Sequence, residues 1–300
     1  MNNKFYFDQD GYFILKPNFN DENFEKAIVA FQNILKKCQN ELYKKIRVYD
    51  DYFFKINVSG IENIFDEQII NQDILNVINE SGIVDIAKNV LQEDELILSL
   101  SRYHVTNHAS HLGIWHRDAK HSSSDSVQIN IYLFDETGME IVKDSHKRED
   151  SQKESLIMNS KPYSSLENVS HLSTKAKNII AFKPSLIHRG KTLKNRAHLH
   201  FRFTKKKALP NLIDKSKSLD YLDNYKIDKK LKDLIIDSAR YGYIYDAKNY
   251  YRKKNFKENF LRILRYCIHK FLFFFDYDNK IYLKFSVRPC LNIRKFFRLK

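Results

Sequence analysis

Trp115-His116-Arg117-Asp118, answered seventy residues later by Ile187-His188-Arg189-Gly190 and then by Arg196, is the part of this chain on which every other reading depends. Two histidines and one carboxylate form the ligand set that holds a non-haem ferrous ion on one face and leaves the opposite face open. On an extended strand His116 and Asp118 point to the same side, because side chains alternate with a period of two. His188 closes the set from a second strand. Arg196 then offers a planar fork able to grip a carboxylate at two points. A His-x-Asp pair alone is weak in a chain with 11 histidines, so its surroundings carry the weight.

Four segments supply those surroundings, in order. Phe7-Asp8-Gln9-Asp10-Gly11-Tyr12-Phe13-Ile14-Leu15 comes first, and Trp115-His116-Arg117-Asp118 follows. The run from Val127 to Phe134 leads into Asp135-Glu136-Thr137-Gly138-Met139-Glu140-Ile141-Val142 and ends at Ser145-His146. Phe182-Lys183-Pro184-Ser185-Leu186-Ile187-His188-Arg189-Gly190, with Arg196, is the last. Together they make the first 204 residues resemble the phytanoyl-CoA dioxygenase-like branch of the Fe(II)/2-oxoglutarate oxygenases. They are similar to its opening F-x-x-x-G-Y strand, its W-H-x-D segment, its L-x-D…G-x-L-x-V-x-x-G-S-H run and its H-x-G…R close. Lys143-Asp144 stands where the family has Pro-Gly before Ser-His, and only eight residues separate His188 from Arg196.

The resemblance implies Fe(II) on His116, Asp118 and His188, with 2-oxoglutarate and O₂ as co-substrates and ascorbate as a stimulant in vitro. The implied reaction releases succinate and CO₂ while hydroxylating a C–H bond of a small-molecule, lipid or glycan substrate. Asp118 argues against a halogenating variant, in which that carboxylate is absent. Arg196 is the expected clamp on the far carboxylate of 2-oxoglutarate, with Arg202 as the alternative. Ser126, Gln128 and Asn130, on the strand after the first ligand pair, are candidate hydrogen-bond donors to the co-substrate. The rival reading is a non-catalytic jelly-roll binding module acting through its basic tail.

The fold expected from the pattern is mainly β with flanking helices. A double-stranded β-helix (jelly roll, cupin-like) forms the core, and a basic, mostly helical appendage follows it. Short apolar or alternating runs at Leu96–Tyr103, Val127–Phe134, Ile141–Val142, Asn178–Phe182 and Ala197–Phe203 supply the strands. Asn20 to Lys37, capped by Asn20 or Asp21, and Asp73 to Val90 carry apolar residues at helical spacing. Lys143 to Lys177 lacks periodicity and reads either as an active-site lid or as a surface excursion. In Arg196-Ala197-His198-Leu199-His200-Phe201-Arg202-Phe203 the alternation puts Ala197, Leu199, Phe201 and Phe203 on one face. Arg196, His198, His200 and Arg202 share the other. His104, His108, His111 and His121 do not have metal-site spacing and read as surface or substrate-facing, and Trp115, the only tryptophan, reads as packing beside the metal.

Charge divides the chain. The full sequence has a net charge of +14, and residues 205–300 hold 25 Lys and Arg against 10 Asp and Glu. Residues 1–204 are close to neutral, with 26 against 27. The domain boundary is therefore placed at 204, between an oxygenase domain (1–204) and a basic C-terminal extension (205–300). Ser238–Tyr251 and Phe256–Phe274 read as a helical hairpin in that extension. Between Arg252 and Lys300 lie 14 positive and 3 negative residues interleaved with Phe and Tyr, a mixture suited to an anionic membrane surface. A solvated lysine-rich face is the plain alternative, and no recognition motif supports nucleic acid. Three scattered cysteines, Cys38, Cys267 and Cys290, argue against a disulfide framework and for a reducing compartment. Without an apolar leader after Met1, the expected location is the cytoplasm, peripheral to a membrane if the tail binds one.

Overall fold

Asn20 and Gly82 set the helical third of the molecule. A first helix, α1 (Asn3–Gln9), leads into strand β1 (Tyr12–Leu15), and α2 (Asp21–Glu41) follows. Asn20 is the cap of α2, its Oδ1 accepting from Asn23 N at 2.9 Å. After β2 (Val48–Asp50) and β3 (Val58–Glu62) come α3 (Gln72–Ser81) and α4 (Ile83–Leu91). The single helix expected over Asp73–Val90 is thus two. Gly82 ends the first in the left-handed region, with φ 62°, a conformation that costs glycine little. The computed structural model describes residues 3–41, 48–50, 58–106, 115–160, 164–190, 196–209 and 219–241.

The remaining strands are β4 (Leu96–Thr106), β5 (Ser126–Tyr132), β6 (Glu136–Val142), β7 (Val169–Thr174), β8 (Ile179–Phe182), β9 (His188–Gly190) and β10 (Arg196–Lys205). Helix α5 (Gln152–Ser160) lies between β6 and β7, and α6 (Lys229–Arg240) follows β10. All pairings are antiparallel. A seven-stranded sheet runs β1-β8-β5-β10-β4-β3-β2, and a three-stranded sheet runs β7-β6-β9. From β5 onward the chain passes from the large sheet to the small one and back twice, which is the jelly-roll connection.

The alternation expected of β10 is present. Ala197, Leu199, Phe201 and Phe203 are buried with Val127, Ile129 and Ile131 of β5 in the main core. That core lies between the large sheet and the helices: Phe24 and Phe31 of α2, Ile74, Leu75 and Ile78 of α3, and Val84 and Val90 of α4 all join it. Leu222, Leu231, Leu234, Ile235 and Ala239 belong to the same cluster. Ser238 fastens α6 to the sheet, accepting from Leu98 N at 2.8 Å and donating to Leu234 O at 2.6 Å. The break in charge at residue 204 and the edge of the hydrophobic core therefore fall at different places.

Two further expectations need correction. In Phe7–Leu15 only Tyr12–Leu15 is strand, because Phe7 lies within α1, which runs to Gln9, and Gly11, at φ 81°, redirects the chain. A Cβ at Gly11 would lie 2.7 Å from His146 Nδ1, so that approach needs glycine. The segment 143–177 is not irregular over its described length. It contains α5 and β7, and β7 is paired to β6 from Val142 to Glu136. Ser151 and Glu154 form a reciprocal capping box at the start of α5, with Ser151 N donating to Glu154 Oε2 at 2.7 Å and Glu154 N to Ser151 Oγ at 3.2 Å. The expected hairpin at Ser238–Tyr251 and Phe256–Phe274 overlaps the end of α6 and otherwise lies outside the described residues. Among the described residues no helix is long and apolar enough to cross a membrane.

Candidate metal centre

His116 and His188 pair at the β9 edge of the small sheet. Their backbones exchange both hydrogen bonds of a bridge, His116 N to His188 O at 3.0 Å and His188 N to His116 O at 2.9 Å. The ring centroids are 4.3 Å apart. Asp118 is tied to the turn before His188, its N–H donating to Pro184 O at 2.9 Å. Ligand atoms of His116, Asp118 and His188 all lie within 4.8 Å of one another, the spacing a single ion can span. Among the described residues this is the group of histidine and acidic side chains able to hold a metal.

The protonation states suit that purpose. His188 Nδ1 lies 2.9 Å from the Leu186 carbonyl, which can only accept, so Nδ1 carries the proton and Nε2 keeps its lone pair. That Nε2 is 3.8 Å from Asp118 Oδ2. Burial, reinforced by His116 and only partly opposed by Asp118, lowers the His188 pKa to about 4 and keeps the ring neutral. Burial would raise the pKa of Asp118, but His116, His188, Arg202 and the Gln128 hydrogen bond together outweigh it and hold the carboxyl well below its usual range. A neutral imidazole and a carboxylate are the forms that bind metal.

Behind the triad the inward faces of β5, β10 and β4 are polar. Gln128 stands opposite Arg202, Asn130 opposite His200 and Tyr132 opposite His198. On the other side of β10, Arg102 is opposite His200 and His104 opposite His198. Gln128 Nε2 donates to Asp118 Oδ2 at 2.5 Å, and Arg202 Nη2 is 3.0 Å from the same oxygen. Deeper in, His198 stacks on His104 at 4.5 Å, and its Nδ1 is 3.5 Å from Glu136 Oε1. Gln128 Oε1, Asn130 Oδ1, His200 Nε2 and Arg202 Nε are buried with no hydrogen-bond partner among the described residues. Polar atoms left in this way ask for a polar ligand. His200 is held neutral, its pKa well below the ordinary value, by burial first and then by Arg102, His198 and Arg202.

The sequence reading meets this geometry unevenly. His116, Asp118 and His188 come together. Gln128 reaches Asp118, and Asn130 lies one pair deeper. Ser126 begins β5 opposite Thr204 and is buried there. Arg196 opens β10 opposite Thr106, and its side chain lies outside the described residues. Arg202 is an ion-pair partner of a triad member. His104 is buried, not on the surface, because β4 runs three residues further than expected and carries it inward. His121 is half-buried near Glu149, and His108 and His111 lie outside the described residues. Trp115 is core, packed with Val142, Ile157, Leu166 and Ile187, and the Arg189 guanidinium lies 4.3 Å from its ring centre. Arg102, Glu136 and Arg117 were not singled out from sequence. For Arg102 the signal was its place in the alternation of β4 with His104.

No family model matches the chain, and no curated protein matches it. Solved structures do. AviO1 from Streptomyces viridochromogenes Tue57 superposes with TM-score 0.52 at 14% identity, over 69% of this chain and 96% of that one. EvdMO1 gives TM-score 0.51 at 16% identity over 68% of this chain, which spans about half of EvdMO1, 49%. HygX from Streptomyces hygroscopicus, solved with nickel and 2-oxoglutarate bound, gives TM-score 0.49 at 12% identity, over 68% of this chain and 86% of that one. At such identities the likeness to AviO1 and EvdMO1 shows a shared fold and nothing more. The site has to speak for the chemistry.

Proposed function

We propose that this protein is an Fe(II)- and 2-oxoglutarate-dependent oxygenase, resembling the phytanoyl-CoA dioxygenase-like branch, that hydroxylates a C–H bond of a small-molecule, lipid or glycan substrate. The observation that carries the reading is the triad itself: two imidazoles and a carboxylate within 4.8 Å, with His188 neutral and Asp118 ionised. When bound, the metal would supply O₂ activation coupled to decarboxylation of 2-oxoglutarate to succinate and CO₂.

The chain's own residues would do the rest. His116, Asp118 and His188 hold the metal from one side, and three protein ligands leave room for exchangeable ones. Gln128 and Arg202 orient Asp118 from behind, as partners of metal ligands commonly do. The cationic inner face of β4 and β10, with Arg102 and Arg202 among buried histidines, suits a dicarboxylate. Arg196 is proposed as the clamp on its far carboxylate and Arg202 as the partner of Asp118. Asn130 and His200, buried and partly unsatisfied, are proposed to meet the bound co-substrate or substrate. Residues 252–300 are proposed to hold the enzyme at an anionic membrane surface.

The test is succinate release on addition of Fe(II), 2-oxoglutarate and ascorbate. The reading expects turnover in the wild type, even uncoupled from substrate, and its loss in His116→Ala. Equal release from both, or none from a wild type that binds metal, would favour a binding module instead.

A further inference from the structure

We infer that Arg117, the residue between the two neighbouring ligands, is a positioning residue that sets how tightly the triad holds its metal. The inference rests on the metal reading above. Arg117 does not join the triad. Its Nε donates to Asp150 Oδ1 at 2.5 Å, Nη1 to the Ser145 carbonyl at 2.7 Å and to the Ser185 carbonyl, and Nη2 to the Arg148 carbonyl at 3.2 Å. The side chain is only 10% exposed, so these bonds face little competition from water.

The four acceptors lie on two segments. Ser145, Arg148 and Asp150 belong to the turn that leads into α5. Ser185 belongs to the turn that delivers His188. Ser145 joins the two segments again: its hydroxyl donates to Val142 O at 2.7 Å and accepts from Ile187 N at 2.8 Å, one residue before His188. The ligands come from chain segments seventy residues apart. Their relative position is fixed by the His116–His188 bridge and the Asp118–Pro184 bond, with Arg117 as a further tie.

The chemistry selects arginine. Several N–H donors in one rigid plane can reach three carbonyls and a carboxylate at once, whereas a lysine ammonium reaches fewer and holds no plane. Ligands spaced before the ion arrives bind it without a reorganisation cost, and partners that hold ligands in place typically govern affinity by about 10- to 100-fold. A purely structural Arg117, serving only to pin residues 145–150, would change stability and leave metal affinity alone.

The experiment is a Co(II) titration of the full-length metal-free protein, followed by fluorescence of Trp115, which is the only tryptophan and adjoins His116. Thermal melting of each metal-free protein runs beside it. Arg117→Gln is expected to weaken Co(II) binding at least about tenfold. Arg117→Lys should fall between that variant and the wild type, and Asp150→Asn should weaken binding a few-fold without shifting the melt appreciably. A folded Arg117→Gln with wild-type Co(II) affinity overturns the proposal. If Arg117→Gln does not fold, wild-type affinity in Asp150→Asn overturns it. Failure of the underlying metal reading looks different: the wild type would then show no Co(II) binding that His116→Ala abolishes.

Discussion

Gln128 donates from Nε2 to Asp118 Oδ2 at 2.5 Å, across the gap between the first residues of β5 and the end of the His-x-Asp segment. A neutral amide in this place orients the carboxylate without adding a positive charge that would repel a metal. Gln128→Leu keeps the volume and removes the donor. Its Co(II) affinity is expected to fall about tenfold, the scale on which ligand-orienting partners act. Calorimetric titration of the metal-free variant checks this, and unchanged affinity would mean that Arg202 alone suffices.

The two arginines of β10 are expected to separate by readout. Arg196→Lys keeps charge but loses the two-point fork, and should raise the apparent 2-oxoglutarate requirement about tenfold, equivalent to about 1.4 kcal/mol. Arg202→Lys should leave that requirement nearly unchanged and alter metal binding, because Arg202 is already paired with Asp118. Initial rates against 2-oxoglutarate concentration decide, and the reverse result would make Arg202 the clamp.

Helix α6 is expected to be required for folding although it lies in the basic part of the sequence. Ile235 is fully buried in the main core, so Ile235→Ala should cost about 2–5 kcal/mol. Ser238→Ala strands the Leu98 N–H and should cost about 1–3 kcal/mol. Denaturant unfolding monitored by circular dichroism measures both. Losses below about 0.5 kcal/mol would show that α6 is dispensable.

Stability of the metal-free protein should fall as pH drops below neutral. His188, His200 and His146 all have pKa values lowered by burial, so the unfolded chain takes up their protons first. The stability these neutral rings represent is complete above the ordinary pKa of 6.5 and is lost as pH falls toward the folded values. For His188, from 6.5 to about 4, the window amounts to at most about 3 kcal/mol. The melting midpoint is expected to decline between pH 7 and pH 5, and His200→Asn should flatten that decline. A midpoint rising over the same range would contradict the assignment.

For residues 252–300, which lie outside the described part, the expectation is salt-sensitive binding to anionic vesicles. Each Lys or Arg near such a surface contributes about 1 kcal/mol, screened within a Debye length. Co-sedimentation with acidic and neutral vesicles at low and high salt tests it. Binding indifferent to lipid charge or salt would leave the tail's charge incidental.

The parts of this fold that could be read from sequence are those with an unbroken short period. In β10 strict alternation gave both faces, since each residue of a two-sided strand must choose core or interior. The triad was legible from the ordered neighbouring segments and not from a strand period, since His116 stands in an isolated bridge and Asp118 in a bend rather than on the expected strand. Helix α6 escaped although Asp228 caps it and Leu231, Leu234, Ile235 and Ala239 form its stripe. Lys229, Lys230 and Lys232 suggest a solvated tail, but long side chains on the outer face do not prevent burial of the inner one. Helix α5 escaped because its start is marked by the Ser151–Glu154 box rather than by apolar spacing. The two-helix break at Gly82 turns on one backbone angle. Arg117 is not legible in the sequence because its partners, carbonyls at Ser145, Arg148 and Ser185, are backbone atoms brought near only by the fold.

Whether His116, Asp118 and His188 hold one metal with 2-oxoglutarate upon it can be read by anaerobic spectroscopy. Fe(II) and 2-oxoglutarate are added to the metal-free protein without O₂, and visible charge-transfer absorption is recorded against iron added. The expected band saturates at one Fe(II) per chain, requires 2-oxoglutarate, and is absent from a folded Asp118→Ala. A wild type without the band, or a band of equal strength in Asp118→Ala, would contradict it.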